Sequence, residues 1–144
     1  MSSLTTSWLF WALLSAGFAA LTAIFAKVGV ADIPSDLATL IRTVIILALV
    51  AAIAFAGGQW RAPGTITGRT WLFLLLSGLA TGASWLCYFR ALKMGAAAQV
   101  APVDKLSVVL VALFGVLFLG ERLSAVASLG VLLIGTGSVL VALG

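Results

Sequence analysis

The sequence predicts an all-α membrane protein, a bundle of five transmembrane helices in one domain, residues 1–144. Three observations predict it. Hydrophobic residues fill 63% of the 144 positions and charged residues only 8%, against about 45–50% and 25% in soluble chains. So few charges cannot cover a soluble surface. The apolar residues gather into five runs of the length that crosses a bilayer, about 20 residues each. Short clusters of Gly, Pro, Ser and charge separate the runs and leave no room for a soluble catalytic or binding domain.

The first span runs over about residues 8–30. Met1 to Ser7 carry no basic side chain, and the apolar stretch after them is too long for a signal h-region, so a cleaved leader is not expected. Ala31-Asp32-Ile33-Pro34-Ser35-Asp36 reads as a tight turn, with Pro34 stopping one helix and Ser35 or Asp36 capping the next. The second span, about 35–56, ends at Gly57-Gly58. The longest loop follows, through Gln59, Arg61, Pro63, Gly64 and Gly68 to Arg69. The third span covers about 70–91, and Lys93-Met94-Gly95 reads as a short turn. The fourth covers about 96–119 with Pro102 near its start. That proline is either a tolerated early-helix residue or a break that frees backbone groups beside Asp104, which a membrane accepts only next to protein or water. Gly120-Glu121-Arg122 reads as the last turn and cap, Glu121 being favoured by the helix macrodipole. The fifth span covers about 124–143. Trp8, Trp11, Trp60 and Trp71 fall at span ends on one membrane face, where an amphipathic ring anchors a helix.

Small residues mark close-packing faces. Gly78 and Gly82 stand four apart in the third span beside Ser77 and Thr81. Ala12, Ala16, Ala19, Ala23 and Ala26 stripe the first span, and Ser128, Gly135 and Gly137 the fifth.

Composition also excludes functions. With no His and the single cysteine Cys87, neither a metal site nor a cofactor is expected. No paired carboxylates or nucleophile–base arrangement suggests an enzyme. The net charge of +4 is scattered over helix ends, which does not suit nucleic acid binding.

The informative residues are charges inside the spans. Arg42 lies in the second, Asp104 and Lys105 in the fourth. A charge at the bilayer centre costs at least about 2.5–3.5 kcal/mol, so such residues are functional candidates by default. Both spans start at the same face. At 1.5 Å per residue the three lie roughly 10–14 Å deep, in the same half of the membrane. Two readings stay open. Either Arg42 and Asp104 satisfy one another and hold the helices together, or one or more of the three lines a polar cavity. Together they carry a surplus of one positive charge, which favours an anionic or zwitterionic substrate. Adjacent helical residues point about 100° apart, so Asp104 and Lys105 of one chain are not expected to face each other. Ser107, one turn past Asp104, offers a hydroxyl. Gln99 lies on the access side of Pro102. Lys27, near the end of the first span, either snorkels to the headgroups or lines the pathway.

An odd number of spans puts the termini on opposite faces. The face of the N-terminus, face B, holds Arg61, Arg69 and Arg122. The other, face A, holds Lys27, Arg90 and Lys93. Orientation follows an excess of Lys and Arg on one side, and here the sides balance. Such a chain either takes a single orientation fixed by folding rather than charge or, as is expected here, inserts both ways up and pairs as an antiparallel homodimer, the arrangement many transporters reach by internal duplication. No duplication is visible within this chain.

Several segments together resemble the EamA module of the drug/metabolite transporter superfamily: Tyr88-Phe89-Arg90-Ala91-Leu92 before a glycine, Val100-Ala101-Pro102, Leu119-Gly120-Glu121 and the Gly130–Gly137 stretch, with Arg42 in the second span. The likeness covers nearly the whole chain and is nearest to short, single-module bacterial members through Asp104-Lys105-Leu106-Ser107. It implies half of an inverted-repeat transporter, with a second copy supplying the other half. Many relatives carry two inverted modules in ten spans, whereas this sequence has five. It also lacks the first-span carboxylate on which the related small multidrug resistance proteins rely, so cationic drug exchange of that type is not implied.

The expected function is a secondary transporter of a small polar metabolite, working by alternating access in a bacterial or archaeal cytoplasmic membrane. Its partners would be membrane lipid, a second copy and a small-molecule substrate. The alternatives are a non-transporting structural or assembly protein and a small channel.

Overall fold

The computed structural model describes residues 7–59 and 63–144. Residues 1–6 and 60–62 lie outside the described residues, and with them the anchor reading of Trp60 and the charge of Arg61. All the regular structure described is helical: α1 (Trp8–Gly29), α2 (Ser35–Ala56), α3 (Gly68–Met94), α4 (Ala97–Asp104), α5 (Leu106–Leu119) and α6 (Ala125–Leu143), with a 3-10 turn at Pro63–Thr65. Counting Ala97–Leu119 as one, five segments are long and apolar enough to cross a membrane. The chain divides into two compact units, Met1–Phe25 with Met94–Gly144, and Ala26–Lys93.

In the unit Ala26–Lys93 the buried residues are Ala26, Val30, Ala38, Thr39, Phe89 and Leu92. Thr39 and Thr43 are accommodated in an apolar helix because their hydroxyls donate to the carbonyls of Ser35 (2.9 Å) and Thr39 (2.7 Å), one turn back. The turn between α1 and α2 corrects one expectation. Neither Ser35 nor Asp36 caps α2. Pro34 occupies the N-cap, with no side-chain cap bond. Its fixed φ of −57° suits that position, and its carbonyl accepts the Ala38 N–H at 3.0 Å. Asp36, in the first helical turn, is freed for a long-range partner. At the other end of α2, Gly58 at φ +62° takes the left-handed conformation that glycine adopts without strain.

Helix α3 is longer than expected at both ends. The Thr67 hydroxyl accepts the Thr70 N–H at 3.3 Å, so the helix starts ahead of residue 70. Lys93 and Met94, read as a turn, continue the helix instead. The residues Ala91 to Met94 are good helix formers, and a lysine in the last turn complements the macrodipole.

In the other unit, α4 and α5 both pack on α6. Gly135 marks a tight place, where a Cβ would lie 3.0 Å from Val109 Cγ2. The α5–α6 turn corrects a second expectation. Ser124, not Glu121, caps α6, its Oγ accepting the Ala127 N–H at 3.1 Å. Gly120 closes α5 at φ +68°, and the Glu121 N–H returns to the Gly115 carbonyl at 3.0 Å. The bond reaches back six residues, one further than the closing bond of a Schellman motif. It folds the Glu121 side chain back over buried Gly115, where an added Cβ would meet Oε2 at 2.6 Å.

Candidate substrate pathway

The fourth span is broken. Pro102 has no N–H to donate to the preceding turn, and two residues later the helix stops at Asp104, to restart at Leu106. Across the break the bonds shorten to i−3, with the Lys105 N–H on the Pro102 carbonyl and the Val108 N–H on the Lys105 carbonyl, both at 3.0 Å. Pro102 itself lies inside α4, and the interruption stands at Lys105.

Asp104 and Lys105 flank this break, and their geometry corrects the expectation that they point apart. Lys105 Nζ lies 3.7 Å from Asp104 Oδ2. The 100° rule holds for a continuous helix. Here the tightened turn and a four-carbon side chain bring the two together. Their side chains are 53% and 40% exposed respectively, so the chain itself does not bury this pair. Ser107 follows in the first turn of α5 and is exposed, as is Gln99 in α4.

Arg42 belongs to the other unit, on the third turn of α2. Its guanidinium carbon stands 4.1 Å from the centroid of the Trp85 ring and 5.4 Å from that of Phe89, both on α3. Phe89 is only 3% exposed, so the platform is fixed. Cation–π contacts of this kind are worth about 0.5–2 kcal/mol, less than the cost of placing the charge in a membrane interior. Neither ring was singled out from the sequence. Trp85 was the tryptophan that fell within a span, and Phe89 follows it by one helical turn. That i, i+4 aromatic pair was the available signal.

Lys27, the remaining pathway candidate, is partly buried, and its Nζ donates to the Leu92 carbonyl at 2.6 Å, in the last turn of α3. Two further cations act at the same corner of the unit. Lys93 Nζ donates to the Ile33 carbonyl at 2.6 Å. Arg90 donates to both Asp36 oxygens, from Nε at 3.3 Å and from Nη2 at 2.9 Å. Cations at a helix C-terminus and a forked arginine–carboxylate contact are each favourable. Together they tie the α1–α2 turn to the end of α3.

Of the packing glycines, Gly135 meets Val109 as described. At Gly78, Gly82 and Gly137 no described atom lies within 4 Å of where a Cβ would sit. Among the described residues no cluster of His, Cys, Asp and Glu is placed to hold a metal ion.

Five apolar spans, a helix broken at a charged pair and an arginine stacked within a span define a multi-pass integral membrane protein. Its family follows from comparison: the chain belongs to the EamA-like transporter family, whose model matches residues 6–143. The family is one of transporters, not of enzymes. A protein described as an uncharacterised transporter in the cobO 3' region of a Sinorhizobium species is 69% identical over 139 residues, which cover 96% of this chain and 99% of that relative. Its bacterial source supports a bacterial or archaeal membrane as the location. No solved structure gives a significant match.

Proposed function

We propose that the protein is a secondary transporter of a small polar metabolite, working by alternating access as an antiparallel homodimer in which each copy is one half of an inverted pair. The observation that carries this reading is the Asp104–Lys105 pair. Two charges sit at a helix break inside a span, half exposed on the surface of their own chain. Water or a second copy must shelter them, since lipid does so only at high cost. Broken helices that present freed backbone and charge near the midplane are what transporters use to hold solutes.

Arg42, Asp104, Lys105 and Ser107 line the pathway in this reading, with Lys27 at its face A end. A relative of the same length, described as a transporter, supports a single module as the working unit. The open Gly78–Gly82 face of α3 is the surface for the second copy, since small residues let helices of two chains approach closely. The balanced cations support insertion in both orientations.

Uptake in proteoliposomes tests the function. Pools of labelled amino acids, sugars and organic acids are offered to wild type and to Asp104→Asn. Uptake by wild type that falls at least tenfold in the variant is the expected result. A folded wild type that takes up none of the pools would leave the structural-protein alternative standing.

A further inference from the structure

Arg42 differs in its surroundings from Lys27, Arg90, Lys93 and Lys105. Lys27, Arg90 and Lys93 each donate to an oxygen of this chain, and Lys105 pairs with Asp104. The ion pairs among the described residues are Arg90–Asp36 and Lys105–Asp104. Within its own unit Arg42 has neither an ion pair nor a hydrogen bond among the described residues. Its contacts are the faces of Trp85 and Phe89.

A guanidinium carries five N–H donors in its own plane. Aromatic rings take its face and leave that edge unused. The edge matches the two oxygens of a carboxylate or phosphate, which it binds with paired hydrogen bonds. Because Asp104 and Lys105 balance one another, the surplus positive charge of the intramembrane residues resides on Arg42. The residue stands roughly 10 Å along α2 from its start, at 1.5 Å per residue. The rings of α3 hold it there.

We propose that Arg42, backed by Trp85 and Phe89, is an oxyanion subsite that takes the carboxylate or phosphate group of a small solute. The inference rests on the transporter reading above and narrows its substrate to an organic anion or a zwitterion bound through its acidic group. The same chemistry is offered by a lipid headgroup phosphate, and the test separates the two sources.

Trp85 reports the site directly. Its fluorescence is obtained as the difference between wild type and Trp85→Phe. The full chain is studied in a phosphate-free maltoside detergent and in phosphatidylglycerol nanodiscs. Sodium benzoate and inorganic phosphate are titrated against sodium chloride at constant ionic strength. The expected result is a saturable change with one or both oxyanions in both environments. It is absent in Arg42→Gln, at least tenfold weaker in Arg42→Lys, which keeps the charge but loses the planar fork, and retained in Arg69→Gln. Should Arg42→Gln not fold, Arg42→Lys and the wild-type titration decide alone. No saturable change in detergent, or a change that survives in Arg42→Gln, overturns the subsite. Titration in detergent that disappears in phosphatidylglycerol assigns the site to lipid and overturns a solute ligand. The uptake pools keep the two claims apart. Uptake confined to cationic or neutral solutes, with no oxyanion titration, defeats this inference and leaves the transporter. Oxyanion titration without uptake of any pool upholds the subsite and defeats the transporter.

Discussion

Asp104 and Lys105, consecutive in the sequence, form an ion pair at 3.7 Å across a one-residue interruption of the fourth span. The pair and the interruption support each other. Each charge stands between the C-terminal end of α4 and the N-terminal end of α5, so the two macrodipole ends offset one another and the pairing itself supplies the attraction. A continuous helix would have turned the two side chains apart and stranded both.

A double-mutant cycle on this pair reads how wet its surroundings are. Asp104→Asn, Lys105→Gln and the double variant are melted in detergent and in nanodiscs. In a hydrated pathway the coupling energy is expected to be about 1 kcal/mol or less, as for exposed pairs. Loss of one partner from a dry site costs about 3–5 kcal/mol. A coupling in that higher range, with uptake retained by the double variant, would make the pair a structural tie.

The two glycine faces behave differently. Gly135→Leu drives a side chain into Val109, which is already 3.0 Å from an added Cβ, and is expected to cost about 1–3 kcal/mol by overpacking. At Gly82 no described atom lies within 4 Å of an added Cβ, so Gly82→Leu is expected to leave monomer stability within about 0.5 kcal/mol while weakening self-association. Thermal melts and cross-linking yields on the same preparations check both halves. Equal destabilisation by the two variants would place Gly82 inside the chain's own core.

At the α5–α6 turn, Gly120→Ala forces a side chain into the left-handed region at φ +68°, at a cost of about 1–2 kcal/mol. Gly115→Ala displaces only the mobile end of the Glu121 side chain and is expected to cost about 1 kcal/mol or less. Adding Glu121→Ala should return most of that smaller loss. Chemical denaturation of the three variants is the measurement. A Gly115→Ala loss that Glu121→Ala does not relieve would mean the methyl group clashes elsewhere.

Topology is checked with reporters fused to the C-terminus. Both cytoplasmic and external locations are expected in one cell population, because cations on the two faces balance. Two lysines added to the loop between Gly57 and Gly68 should bias the N-terminus inward and reduce uptake. A C-terminus found on one side only rules out antiparallel pairing of this chain.

The five spans were legible because each is a long apolar run closed by glycine or proline, and that signal is local. Span ends were less so. Thr67 and Pro34 act as helix starts through single bonds or dihedrals that composition does not display, and nothing in Ala91-Leu92-Lys93-Met94 announced that α3 would run on. At Pro102 the sequence posed the choice between kink and break, whereas the interruption stands three residues later at Lys105, beyond the turn that the missing N–H weakens. The candidate site was half legible. Charge inside a span singled out Arg42, Asp104 and Lys105. The partners of those charges depend on how helices are placed, so Trp85 and Phe89 were invisible as a platform and the Asp104–Lys105 contact was misjudged.

The corner where Lys27, Arg90 and Lys93 hold the α1–α2 turn has an evolutionary corollary. These three side chains are tied to the fold as well as charged, so a mutation that removes one loosens the corner as it shifts the topological balance. On the opposite face, Arg69 merely approaches Phe73 at 5.9 Å. Under the proposed insertion in both orientations, drift in orientation is therefore easier from that side. If the gene were duplicated, the two copies would be expected to part into fixed, opposite orientations through gains and losses of lysine and arginine around Arg69 and Arg122, while the opposite corner stayed alike in both.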